Sequence, residues 1–225
     1  MKTRILIMLC QCVILAFLLS CEVVETHSDD YITRNELDEK FRSEWDKPEY
    51  QVANTAKNET YLSDKEKDVF YYLNLARINP PLFAETYVNS YNGDAGWSKG
   101  YAWDERKQSL MAELKKMESL GLIYPDEEMY ALAYCFANKA GELGLVGHDR
   151  SKTGCSAGFH AECCSYGGAQ NGFSIIMSFL IDAGENNAAL GHRRICLSKS
   201  YDKLGVSIQP HKIYNFNAVL DFKNK

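Results

Sequence analysis

Apolar positions recur along this chain first at helical spacing and only near its end at the two-residue spacing of strands. Leu37, Phe41 and Trp45 stand four apart behind Thr33 and Glu36, which fit a capping box, and Lys47-Pro48 stops the short helix they define. This narrow stripe suits docking on the chain's own domain or contact with a partner. Ser63 and Glu66 form a second capping box, after which Val69, Phe70, Leu73 and Ala76 keep helical spacing up to Asn79-Pro80-Pro81. Pro81 opens a further helix, Leu82 to Val88. The Gly- and Asn-rich stretch 89–100 predicts a surface loop. Asp104 to Leu120 predicts an amphipathic helix with Leu110, Leu114 and Met117 on one face and Gly121 as its cap.

Pro125-Asp126-Glu127-Glu128 places acids in the first turn of the next helix, where they favour its dipole. Met129, Leu132, Ala133, Phe136, Ala140 and Leu143 are its buried stripe, and it delivers the chain to Gly147-His148. Residues 149–172 are rich in Gly, Ser and Cys and predict a loop with a short strand around Glu162. Phe173 to Ala183 is apolar on nearly all sides, as a buried helix is, and is too short to span a bilayer. Leu190 to Leu197 predicts a short helix. Leu204–Ile208 and Ile213–Phe222 then predict two strands joined through Gln209-Pro210-His211-Lys212, which leaves His211 in a solvated turn. Helices first and an antiparallel strand pair last predict an α+β or layered α-β-α domain.

The ends of the chain modify this picture. Lys2 and Arg4 precede an apolar run from Ile5 to Leu19, too short for a membrane span and suited to an export signal. The run closes on Leu18-Leu19-Ser20-Cys21, which resembles the bacterial lipoprotein box. That resemblance implies lipidation of Cys21 and attachment to a membrane, at the cell surface or in the periplasm. The predicted organisation is therefore a signal peptide over 1–20, a lipidated tether over 21–60 and a folded domain over 61–225. Of the net charge of −5, residues 22–60 carry −6, the signal +2 and the rest −1. The folded part is nearly neutral and shows no basic face, which argues against nucleic acid as a partner. Beyond Cys10, Cys12 and Cys21, five cysteines remain: Cys135, Cys155, Cys163, Cys164 and Cys196. Five is odd, so at least one thiol stays unpaired within the chain. Cys155 with Cys163 or Cys164 would close a short loop, and the sequence leaves the connectivity open.

The candidate chemistry lies between two Gly-His steps. Gly147-His148 opens the series, Glu162-Cys163-Cys164 and Ile181-Asp182-Ala183-Gly184 follow, and Gly191-His192-Arg193-Arg194 closes it. Two neutral imidazoles and a carboxylate can bind Zn²⁺ or another divalent metal, with the remaining acid as general base or as a partner that orients one imidazole. Without metal the same groups can hold a hydrogen-bonded network beneath a binding cleft. The spacing matches no compact metal motif, nor a serine-hydrolase, phosphate-loop or dinucleotide signature. His160 stands two residues before Glu162 as a further imidazole. Cys163 or Cys164 beside a histidine supplies the residue types, without the local signature, of a thiol protease.

This ordered set resembles the CAP superfamily of cysteine-rich secretory proteins, antigen 5 and plant pathogenesis-related proteins, in its bacterial form, over about residues 61–222. The resemblance implies the α-β-α sandwich of that family, with His148, Glu162, Asp182 and His192 lining one cleft. His148 and His192 would be the metal ligands, and Glu162 and Asp182 the candidate catalytic acids, with Glu185 a rival to Asp182. Cys163 stands where the family has Asn. The family is linked to lipid or sterol binding, metal binding and, in scattered members, proteolysis. The expected function is a binding module for a small or extended ligand. The alternatives are a metal-dependent hydrolase of peptide or cell-envelope material and an adhesive surface protein.

Overall fold

A computed structural model describes residues 33–94, 102–167, 171–183 and 189–224. The signal segment, Cys21 and Glu185 lie outside these residues. The chain forms a four-stranded sheet between layers of helix, the α+β arrangement the periodicities predict. The strands β1 (Tyr124–Pro125), β2 (Ala161–Tyr166), β3 (Tyr201–His211) and β4 (Asn215–Asn224) lie in the order β1-β3-β4-β2. β3–β4 and β4–β2 are antiparallel, and β1 pairs parallel to the start of β3.

Three short helices, α1 (Arg34–Lys40), α2 (Arg42–Trp45) and α3 (Pro48–Gln51), precede α4 (Asp64–Ile78). Both capping boxes are formed, Thr33 with Glu36 and Ser63 with Glu66. α5 (Pro80–Phe83) runs into a π-helical turn at Ala84–Val88, and α6 is Trp103–Leu114. α6 ends six residues before the predicted Leu120. The chain leaves the helix because the Leu120 N–H is captured by the Arg77 carbonyl of α4, which lays Leu120 and Ile123 into the core.

α7 (Glu127–Leu143) covers one face of the sheet and α4, α8 (Gly172–Ile181) and α9 (Gly191–Cys196) the other. Strand alternation assigns the side chains to the two layers. Leu204, Val206, Leu220, Phe222 and Cys163 face α4 and α8, whereas Val219 and Cys164 face Ala133, Phe136, Ala137 and Ala140 of α7. α7 lies directly on β3. A Cβ at Gly205 would stand 2.0 Å from the Met129 carbonyl carbon, so only glycine allows that approach.

Residues 33–60 pack on this body. Leu37 and Trp45 are buried, and Trp45 Nε1 donates to Thr86 Oγ1 at 3.1 Å. Asn74 Nδ2 donates to the carbonyls of Ala53 and Ile123. β3 runs past Pro210 to His211, so the turn falls at 212–214 and His211 is not solvated. Its Nε2 bonds the Leu145 carbonyl and its Nδ1 accepts the N–H groups of Ile213 and Tyr214, which holds the ring beneath the turn.

Candidate functional site

α7 ends in a left-handed Gly144, and Gly147 at φ 87° turns the chain back over the sheet. Tyr166 at the end of β2 holds that turn, its hydroxyl accepting the Gly147 N–H at 2.9 Å and donating to the Gly147 carbonyl. Alternation along β2 puts Glu162 and Cys164 on the same face as Tyr166. His148 therefore comes down onto both. Its Nδ1 lies 2.8 Å from Glu162 Oε1 and 3.6 Å from Cys164 Sγ. The His148 side chain is 57% exposed and that of Glu162 only 3%. The imidazole is thus held by its Nδ1 side and presented to solvent.

Behind Glu162 is a pair of residues absent from the sequence-based set. Arg150 Nη2 bonds Glu162 Oε2 and both oxygens of Asp221, the latter at 3.0 and 2.8 Å, all three side chains being buried. The guanidinium sits between the rings of Phe136 and Phe159, 4.5 Å from each centroid, and donates to the Leu132 and Ser156 carbonyls. Two buried carboxyls and one guanidinium cannot all be charged cheaply, and the burden divides unequally. Burial would raise Glu162, but its bonds to His148 and Arg150 outweigh this and hold it below the ordinary range. Burial raises Asp221 to about 8, with the nearby Glu162 charge adding to it and Arg150 opposing. The Glu162 bond raises the His148 pKa against the cost of burial. The sequence signal for Asp221 was present: one acid inside the apolar run Ala218–Phe222. Arg150 gave no signal beyond its place two residues after His148.

His192 and Asp182 make a second pair. Asp182 ends α8 in the left-handed region, at φ 55°, and receives His192 twice, at Nδ1 (3.0 Å) and at the backbone N–H (3.1 Å). The side chain of Asp182 is 2% exposed and that of His192 28%. Arg193, fully buried, locks this corner by donating to the carbonyls of Leu180, Ile181 and Arg106. Arg77 does the same for the next turn through the carbonyls of Cys196 and Ser198. The Gly-His-Arg step thus joins one presented imidazole to one buried structural cation.

The four predicted residues therefore form two His–carboxylate pairs, one against β2 on the α7 side and one at the α8–α9 corner. Among the described residues, the three potential metal ligands whose donor atoms come together are His148, Glu162 and Cys164. His160 is exposed and its Nδ1 accepts the Asn224 N–H. A thiol-protease triad does not form, because Cys164 and Glu162 both face the same nitrogen of His148. Burial also pushes the Cys163 and Cys164 thiols up, so neither is a ready thiolate. Cys135 pairs with Cys155, tying the loop after α7 back to that helix. The short-loop pairing with Cys163 or Cys164 is not made. Cys163 points into the opposite layer, and Cys163, Cys164 and Cys196 remain free thiols.

No family model matches the chain, and no curated protein matches it. Among solved structures, an outer surface protein from Borrelia burgdorferi is similar over 55% of this chain and 90% of its own, at 18% identity and a TM-score of 0.36. A likeness at that score carries no weight for fold or function.

Proposed function

We propose that this chain is an exported lipoprotein whose domain is a binding module of the CAP type, with the imidazoles of His148 and His192 as its ligand-facing groups. The observation that carries this reading is the duplicated pair. Each histidine turns Nδ1 to a buried carboxylate, so the neutral ring carries its N–H there and a lone pair on Nε2. Carboxylates placed in this way orient metal-binding imidazoles and raise their basicity. The donor chemistry of each pair fits a divalent ion such as Zn²⁺, which His148 would hold beside β2 and His192 at the α8–α9 corner. When bound, the ion would supply a Lewis acid for an anionic or carbonyl-bearing ligand.

Glu162 is better placed to orient His148 than to react. Both of its oxygens are engaged, by His148 and by Arg150, and its side chain is buried. This favours binding over the metal-dependent hydrolase reading, which needs a carboxylate free to take a proton from water. Among the described residues no helix is long and apolar enough to cross a membrane, so the proposed membrane attachment rests on Cys21.

Titration calorimetry with Zn²⁺ tests the reading on wild type, His148→Ala and His192→Ala. The expected result is binding whose stoichiometry falls with each substitution. Binding that survives both substitutions, or no binding in the wild type, would show the pairs to be structural.

A further inference from the structure

The end of the sheet away from β1 carries an apolar surface that the His pairs do not use. α7 finishes there at Leu143, 54% exposed, and the chain continues through Val146, 56% exposed. The β3–β4 turn meets it. Ile213 lies against Gly144, where a Cβ would stand 3.1 Å from Ile213 Cδ1, and the Lys212 N–H donates to the Gly141 carbonyl. Ile213 is 64% exposed, and Tyr214 stands beside it with its ring against His211 and Tyr166. Single exposed apolar residues are ordinary. These four are neighbours, and two of them form the apex of a turn, where Gly, Asn, Asp or Pro is usual. The left-handed position of the turn is taken by Asn215, at φ 65°, so the backbone has no need of the apolar pair at the tip.

The N-terminal segment reaches the domain on this same end. Arg34 bonds Asp68 at 2.5 Å and Tyr72, over the first turns of α4. α4 starts beside the hairpin, with Lys65 Nζ 5.9 Å from the Phe216 ring. Its other end lies at the start of β3, where Arg77 reaches the Tyr201 carbonyl. Thr33 stands twelve positions beyond Cys21, a reach of up to about 40 Å. A lipid on Cys21 therefore brings a bilayer within range of the hairpin end.

We propose that Leu143, Val146, Ile213 and Tyr214 dock into the interface of a lipid bilayer and hold the domain with its β3–β4 turn against the membrane. The geometry rests on the lipoprotein reading of Cys21. Tyrosine suits the boundary between apolar and wet layers, and the exposed Lys212 beside the tip can extend its head to the lipid phosphates. The lipid holds the chain at the membrane, and an inserting tip adds a second hold that sets the orientation of the domain.

The test uses the mature protein, made from the full gene and reconstituted in phosphatidylcholine vesicles with brominated acyl chains. Tyr214→Trp and Tyr124→Trp place reporters on equally exposed tyrosines at opposite ends of the sheet. Relative to wild type, the added emission at 214 is expected to be blue-shifted and quenched by bromine, and that at 124 to be neither. Equal quenching at both positions, or none at 214, overturns the proposal. Val146→Asp with Ile213→Asp in the Tyr214→Trp background should abolish the quenching at an unchanged melting temperature, and quenching that persists would equally overturn it. Mass spectrometry of Cys21 separates the two readings. An unmodified thiol sinks the lipoprotein reading, and the reporter comparison with added vesicles then decides the tip by itself.

Discussion

At the scale of the residue, the cluster around Glu162 sorts charges by burial. Glu162 is held below the ordinary carboxylate range by His148 and Arg150, and burial raises Asp221 behind it to about 8. An acid whose folded pKa lies above its unfolded value of about 3.9 favours the folded state most at low pH, and that contribution is lost as pH rises toward 8. Asp68, raised to about 6 by burial against the pull of Arg34, adds in the same direction. The melting temperature is predicted to fall between pH 5 and pH 8. Asp221→Asn should flatten the upper part of that fall, and calorimetric melts across the range check it. His148→Ala should cost no more than about 1 kcal/mol, because its pair with Glu162 is half exposed on the histidine side. His148 and Glu162 were legible in the sequence through their Gly-His and strand contexts. Arg150 was not, because its partners Asp221 and Phe136 lie far from it in sequence and only the fold brings them together.

At the scale of the element, the corner after α8 shows how a short motif is built. The last carbonyls of a helix lack intrahelical partners, and those of Leu180 and Ile181 are taken by Arg193. That leaves Asp182 free to adopt a left-handed backbone and receive His192. Arg193→Ala should therefore lower stability by about 3–5 kcal/mol, since several buried carbonyls lose their donor together. A denaturant melt measures this, and a loss under about 1 kcal/mol would mean that water replaces the guanidinium. Helix positions were readable from capping boxes and apolar stripes. The end of α6 and the strand β1 were not, because both are set by tertiary bonds: Leu120 to Arg77, and Tyr124–Pro125 to Lys203–Leu204. His211 was misread as solvated because Pro210 suggested a turn where the strand in fact continues.

At the scale of the whole molecule, α7 on one face and α4 with α8 on the other make the layered body that the order of periodicities implied. The stripe Leu37, Phe41, Trp45 suited a partner as well as the chain's own domain, with the latter the favoured expectation. It packs on the chain's own body, with Trp45 among Tyr50, Phe83 and Tyr87 and its Nε1 on Thr86. Trp45→Ala is predicted to cost about 3–5 kcal/mol of global stability. A separate, lower melting step confined to residues 33–60 would show instead that this segment is an independent appendage. The same packing carries the incoming chain to the hairpin end of α4, which links the proposed anchor to the apolar tip.

In the proposed function, His148 and His192 each present Nε2 to a ligand while a buried acid holds Nδ1. Anomalous diffraction at the zinc edge from crystals soaked in Zn²⁺ tests this most directly. The expected result is an ion about 2.0–2.1 Å from Nε2 of each histidine, with Glu162 and Asp182 still on Nδ1. An ion held by His148, Glu162 and Cys164 without His192, or no ion at either histidine, would contradict it.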